Sequence, residues 1–205
     1  MTSLTLEQPI AFIESPSDQR IVTYASWEGF KLIQQGFCNS NQVRLFYYDG
    51  TIEILMPGKL HEVFSEIIGS LLGLFLMTKG VAFLATGSMT QEKERQASLQ
   101  ADKSYCIGES KSIPDLAIEV VFSSGGPNKL AKYKTIGISE VWFWDDGSLV
   151  IYHLFGEDYQ VVDRSQLLGL CELDLELFKR CILIGERDTG EAMRSFLEAL
   201  KSDLF

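Results

Sequence analysis

Glu119 sits in the middle of the apolar run Ile113-Pro114-Asp115-Leu116-Ala117-Ile118-Glu119-Val120-Val121-Phe122, where a strand would bury its charge. An unpaired carboxylate in such a place costs several kcal/mol or takes up a proton, so a cation or a hydrogen-bond network must lie beside it. The chemistry such a group suits is ligation of a hard ion such as Mg²⁺, whose oxygen ligands stand about 2.1 Å away. Two carboxylates sharing the ion must then approach within a few ångströms. Asp115 occupies the same strand face, but at about 3.3 Å per residue it lies roughly 13 Å along the strand and cannot share an ion with Glu119. The second acid is therefore expected on a neighbouring strand, and Asp102, in Gln100-Ala101-Asp102-Lys103-Ser104-Tyr105, precedes Glu119 by enough residues for a connection and a return strand. Position 121, on Glu119's face, is Val, and Lys103 would point away from Asp102. Lys129 is the expected charge partner, because a helix following the loop can bring its amine back over the strand's C-terminal end, where open α/β sheets hold ligands.

The elements that must position these groups read as a mixed sheet with helices on it. A helix is expected from Ser26 to Gln35, ended by Gly36. Val43 to Tyr48 and Thr51 to Met56, joined by Asp49-Gly50, read as a hairpin with a two-residue turn. A long helix from Leu60 to Thr78 follows, with Phe64, Ile67, Ile68, Leu71, Leu72 and Phe75 as its apolar stripe. Strands are expected over Val81 to Thr86, Ser98 to Ile107, Glu140 to Asp145 and Leu149 to Phe155, the last two joined by Asp146-Gly147. Gln91 to Gln96 reads as a solvated turn and Ser123 to Pro127 as a tight loop before a helix from Asn128 to Thr135, ended by Gly137. The strand, loop, helix and strand from 115 to 145 form a parallel crossover, whose strands are usually buried on both faces. Two further helices are expected over Leu173 to Cys181 and Gly190 to Leu200. The chain divides into an N-terminal arm (1–20), one α/β domain (21–185) and a C-terminal helical tail (186–205).

Composition narrows the classes. The 205 residues, 46% hydrophobic and 22% charged, suffice for one sizeable core. The apolar stretch from Ile67 to Met77 is broken by Gly69, Ser70 and Gly73 and is expected to be too short to span a bilayer. Met1 to Glu14 has no basic region ahead of an apolar core, so a soluble, cytoplasmic protein is expected, with no membrane partner. Cys38, Cys106, Cys171 and Cys181 form no CxxC pair and are expected to be reduced, mostly buried thiols. A net charge of -10 argues against a generally cationic nucleic-acid-binding surface. The acidity is peripheral, however: residues 156–205 carry eleven acids against six Lys or Arg, whereas 123–135 holds Lys129, Lys132 and Lys134 with no acid.

Ile113 to Val120, then Lys129-Leu130-Ala131-Lys132-Tyr133, then Gly137-Ile138-Ser139-Glu140-Val141-Trp142-Phe143-Trp144-Asp145 resemble the Uma-type family of putative restriction endonucleases, of the PD-(D/E)xK nuclease superfamily. Tyr48-Asp49-Gly50, Ile54-Leu55-Met56-Pro57 and His61 match as well, so the resemblance covers residues 25–180. It implies a restriction-endonuclease-like core that hydrolyses DNA phosphodiester bonds with Mg²⁺ or Mn²⁺. Asp102 would be the first acid and Glu119 the second, the two holding the metal with the Val120 carbonyl. Lys129 would stand in for a lysine that has moved from strand to helix, and His61, or Glu62, would complete the shell or handle a proton. Two departures are Ala101, where the family usually has Pro, and Glu119-Val120-Val121, which contains no Lys. Cleavage of both strands of a duplex implies a homodimer.

Blander readings stand beside these. Glu119 and Lys129 would form a structural ion pair, Lys129 would be a solvated helix lysine, Asp102 a loop or edge-strand acid, His61 a residue that caps or packs near the helix start, and Glu62 and Glu66 exposed helix acids. Trp142 and Trp144 read as core rather than as base-stacking platforms, and Lys132 and Lys134 as surface charges. The rival functions are a catalytically inactive module that binds nucleic acid or protein, and a metal-dependent hydrolase of another substrate.

Overall fold

The computed structural model describes residues 17–40, 42–122 and 129–202, so the expected loop 123–127, Asn128 and most of the N-terminal arm lie outside the described residues. In chain order the elements are β1 (Gln19–Tyr24), α1 (Trp27–Gly36), β2 (Arg44–Tyr48), β3 (Thr51–Met56), α2 (Lys59–Thr78), β4 (Phe83–Ala85), β5 (Gln91–Lys93), β6 (Ala97–Leu99), β7 (Lys103–Ile107) and β8 (Leu116–Val120). After them come α3 (Leu130–Ile136), β9 (Glu140–Asp145), β10 (Ser148–Phe155), β11 (Asp158–Val162), α4 (Leu175–Gly185) and α5 (Thr189–Ser202). The class is mixed α/β, as expected, but the strands form two sheets: β1-β3-β2-β6-β5, and β11-β10-β9-β8-β7-β4.

Local chemistry explains most boundaries. Ser26 caps α1 by accepting the Gly29 N–H at 3.2 Å. Both Asp-Gly turns form, with φ of 47° at Asp49 and 73° at Gly50, and 42° at Asp146 and 82° at Gly147. Two successive left-handed residues give the turn whose twist matches the flanking strands. Gly137, at φ 94°, ends α3 as its C-cap.

Period-two alternation splits the second sheet's central strands between two cores. β8 and β9 pair in parallel, Ala117 beside Val141 and Glu119 beside Phe143. Leu116, Ile118, Val120, Trp142 and Trp144 face the larger core, which holds the α2 stripe together with residues of α4 and α5. Ala117, Val141 and Phe143 face the other way, against Tyr133 and Ile136 of α3 and Phe46 and Leu55 of the first sheet. Glu119 shares the parity of Ala117 and points into this second, inter-sheet layer. Trp142 and Trp144 are fully buried, as expected of core residues.

Several expectations change. The strand expected over 98–107 is two strands in different sheets, because the chain crosses between sheets at Gln100 to Asp102 and the Gln100 side chain accepts the Leu45 N–H at 2.8 Å. The polar patch 91–96 is not a solvated turn: it contains β5 and the turn into β6, with Arg95 at φ 59° and Gln91 buried. Edge strands β1 and β11 were not anticipated. Lys132 is buried rather than a surface charge, whereas Lys134 is exposed beside Asp158. All four cysteines are free, but Cys38 and Cys171 are exposed. Gly69, Ser70 and Gly73 do not interrupt α2, whose 20 residues are long and apolar enough to cross a membrane by length and composition; its apolar stripe is packed in the larger core.

Candidate active site

The β7–β8 register ends at Lys103 opposite Ile118, so Asp102 and Glu119 are the next residue of each chain segment beyond the ladder. The two acids are near enough for the Asp102 charge to act on Glu119. Asp102 Oδ2 accepts the Val120 backbone N–H at 2.8 Å, fixing the carboxylate at the C-terminal end of β8. Both acids are buried, Glu119 completely. The sheet crossing thus delivers the first acid, and the crossover helix delivers the cation.

Lys129 opens α3, and its Nζ donates to Glu119 Oε2 at 2.6 Å. Four residues on, one helical turn, the Tyr133 hydroxyl donates to Glu119 Oε1. Burial pushes the Glu119 pKa up, with the Asp102 charge acting in the same direction and Lys129 opposing both. Burial also works against the Lys129 ammonium, but Glu119, Asp102 and Glu53 override it and raise its pKa. Burial and the Glu119 charge raise Tyr133 far above the usual phenol range, so it remains a donor. Phe46 lies beneath the cations, its ring centroid 4.6 Å from Lys129 Nζ and 5.1 Å from Lys132 Nζ.

His61, in the first turn of α2, stands between two carboxylates. Its Nε2 is 2.9 Å from Asp102 Oδ1 and its Nδ1 is 3.0 Å from Asp18 Oδ2. The Nε2 contact is an ion pair rather than an aligned hydrogen bond. Burial opposes the imidazolium, but the two aspartates raise its pKa to about 10. Arg44 Nε lies 4.0 Å from Asp102 Oδ1, and its Nη2 lies 3.4 Å from Glu62 of α2. An open cleft of about 890 Å³, lined by Lys31, Gln34, Gln100 and Arg44 among others, reaches this edge of the site.

The donor set fits a hard divalent ion. Asp102, Glu119 and the Val120 carbonyl offer oxygen alone, and both ring nitrogens of His61 face aspartates. Among the described residues no three His, Cys, Asp or Glu side chains converge as a cluster able to hold a metal. Two carboxylates and a carbonyl, the remaining positions left to water and phosphate, are what Mg²⁺ commonly takes, whereas an all-protein cage is not.

Asp102, Glu119, Lys129, Val120 and His61 are therefore joined in one contact chain, and among the described residues Glu62 reaches it through Arg44. Asp115 is engaged elsewhere, with Lys111 and the Ile107 N–H. Four contributors were missed. Glu53 is buried in β3 and pairs with Lys132 at 3.1 Å and Arg20 at 2.8 Å. Its place between Ile52 and Ile54 is the signal that could have found it. Tyr133 was legible as the residue one turn after Lys129. Arg44 and Asp18 carry no sequence signal of this kind.

No curated protein matches the chain. The family model Uma2, Putative restriction endonuclease, matches residues 27–178, a span that contains every one of these groups except Arg20 and Asp18. With the whole second sheet, strands β2, β3, β5 and β6 of the first, the crossover and the paired acids inside that span, the chain belongs to the Uma2 family.

Proposed function

We propose that the protein is a divalent-metal-dependent endonuclease that hydrolyses DNA phosphodiester bonds, acting in the cytoplasm as a homodimer. The observation that carries this reading is the pair of buried carboxylates at the end of the β7–β8 ladder, close enough for the charge of one to raise the pKa of the other, with a lysine ammonium on Glu119. Membership of the Uma2 family, whose description is Putative restriction endonuclease, supports DNA as the substrate.

Asp102, Glu119 and the Val120 carbonyl would hold Mg²⁺ or Mn²⁺. Val120 turns its N–H toward Asp102, and in extended backbone the carbonyl of the same residue leaves on the same side. The chemistry such an ion supplies is polarisation of a phosphoryl oxygen and a lowered pKa for the attacking water. Lys129 keeps its proton, orients that water and offsets negative charge developing on the phosphate. Tyr133 holds Glu119 Oε1, which leaves Oε2 as the oxygen that Lys129 shares with the incoming groups. Arg44, which lines the cleft, would meet a backbone phosphate.

A second reading rests on one observation: each oxygen of the Asp102 and Glu119 carboxylates already faces a protein partner. A site so closed would bind nucleic acid or protein without cutting. Incubating plasmid and single-stranded DNA with Mg²⁺ or Mn²⁺, with Asp102→Ala and Glu119→Ala alongside, separates the two. Metal-dependent cleavage lost in both variants is expected. Cleavage that survives both substitutions sinks the site, and binding without turnover favours the inactive module.

A further inference from the structure

We propose that Asp18, ahead of β1, is a positioning residue of the candidate site: by holding His61 it fixes how Asp102 presents its carboxylate to Glu119 and Val120. The inference deepens the nuclease reading and rests on it for its functional consequence, but not for its geometry. Asp18 lies outside the residues that the family model matches.

Asp18 is built into place from both sides. Its Oδ1 accepts the Gly58 N–H at 2.8 Å, at the start of α2, where Gly58 has no side chain to cap the helix. A Cβ on Gly58 would sit 2.7 Å from the Ser17 carbonyl carbon, so the absence of a side chain is what lets this segment close on the helix. The other oxygen, Oδ2, meets His61 Nδ1 at 3.0 Å. The imidazole is rigid, 1% exposed, and faces Asp102 Oδ1 with its opposite nitrogen at 2.9 Å. Asp102 Oδ2 in turn takes the Val120 N–H at 2.8 Å. An unbroken series of contacts therefore runs from the segment ahead of β1 to the backbone of β8 beside Glu119.

Each link restrains one degree of freedom of the next. A histidine ring held at one nitrogen can still swing about its Cβ–Cγ bond, whereas a ring held at both cannot. Removing the Asp18 carboxylate leaves Asp102 facing an imidazole whose plane and charge are no longer set from behind. Outer partners of this type orient the groups that do the chemistry, and losing one costs about 10- to 100-fold in activity or metal affinity.

A role confined to capping α2 would lower stability without disturbing Asp102, and the test separates the two. Asp18→Asn keeps an oxygen for the Gly58 N–H and keeps the shape, but presents an amide to His61. In ¹⁵N-labelled full-length protein the expected result is a dispersed spectrum in which the Val120 amide and the His61 ring N–H signals move. DNA cleavage is expected to fall about 10- to 100-fold in kcat with little change in KM, and in a His61→Gln background Asp18→Asn is expected to cost nothing more. An unmoved Val120 amide, or an equal loss in both backgrounds, overturns the proposal. If Asp18→Asn does not fold, Asp18→Ser, too short to reach His61, is read the same way. A wild-type protein that cuts no DNA rejects the nuclease reading alone, since the Val120 and His61 signals still decide whether Asp18 positions Asp102.

Discussion

Buried acids in strands are the molecule's recurring device, and their partners decide what each can do. Glu119 has one lysine and one phenol; Glu53 has Lys132 and Arg20. Glu140, equally buried, is saturated by the Trp142 indole at 2.7 Å, Ser165 at 2.6 Å, the Gln166 N–H at 2.9 Å and His153 at 3.1 Å. Four donors on one carboxylate make a structural clamp with no room for a ligand. Lys129 is the discriminating group, because it bonds Glu119 directly and feels the charges of Asp102 and Glu53 as well. Lys129→Met keeps the stem over Phe46 and removes the charge. Losing one such charge-stabilising donor costs about 10²- to 10³-fold in kcat, while unfolding should show Glu119 shifted further toward its protonated form. Steady-state cleavage with Mn²⁺ checks this, and an unchanged kcat would make the lysine a structural counter-ion only. The sequence exposed Glu119, Asp102 and Lys129 because a charge among apolar residues and a lysine after a crossover loop have definite consequences. It could not expose Asp18, since a carboxylate in a polar segment looks the same whether it solvates or reaches 43 residues along the chain to His61.

At the scale of elements, features with their own chemistry were legible and features set by distant partners were not. The two Asp-Gly turns, the α2 stripe and the parallel crossover each follow from residues within one window. The change of sheet between Leu99 and Lys103 leaves no mark in the alternation, because both strands bury their residues and only the neighbours differ. Strand β1 is exposed along its whole length, so it lacks the apolar period that announces a strand, and its backbone pairing with β3 creates it, with Arg20 on Glu53 beside the ladder. The C-terminal helices show how far the core extends past the family match: Ile182, Phe196 and Leu200 pack in the same cluster as the α2 stripe. At Gly185 of α4, a Cβ would come within 2.2 Å of Ile67 Cγ1 of α2. Both partners belong to helices packed in the core, so the contact has little room to relax. Gly185→Ala is expected to destabilise the fold by about 1–3 kcal/mol through overpacking, measured as a lower midpoint in urea. An unshifted midpoint would mean that α4 slides on α2 at no cost.

For the whole molecule, the site cluster makes stability depend on pH in a direction unlike that of surface carboxylates. A positive charge in the first turn of a helix opposes the helix dipole, and His61 carries one there because Asp18 and Asp102 outweigh it. Its pKa rises from 6.5 to about 10 on folding. Between those values the folded chain holds a proton that the unfolded chain has released, so stability falls as pH rises. The contribution is complete below about pH 6.5 and is lost as pH climbs through about 10. Asp18 and Asp102 act oppositely: despite the cost of burial, His61 holds both below 3.8, so their contribution is present above that value and lost as pH falls through the lowered ones. The charged triad is therefore expected to be at full strength in the mildly acidic range and to weaken from neutral pH upward. Urea unfolding at intervals from pH 6.5 to pH 9.5 should give a free energy that declines steadily in the wild type. His61→Gln should start lower and decline less, and the difference between the two profiles removes the contribution of other groups that titrate in the same window. Parallel profiles would show that the imidazole does not carry its proton between the two aspartates, and would remove the charge on which its hold over Asp102 depends.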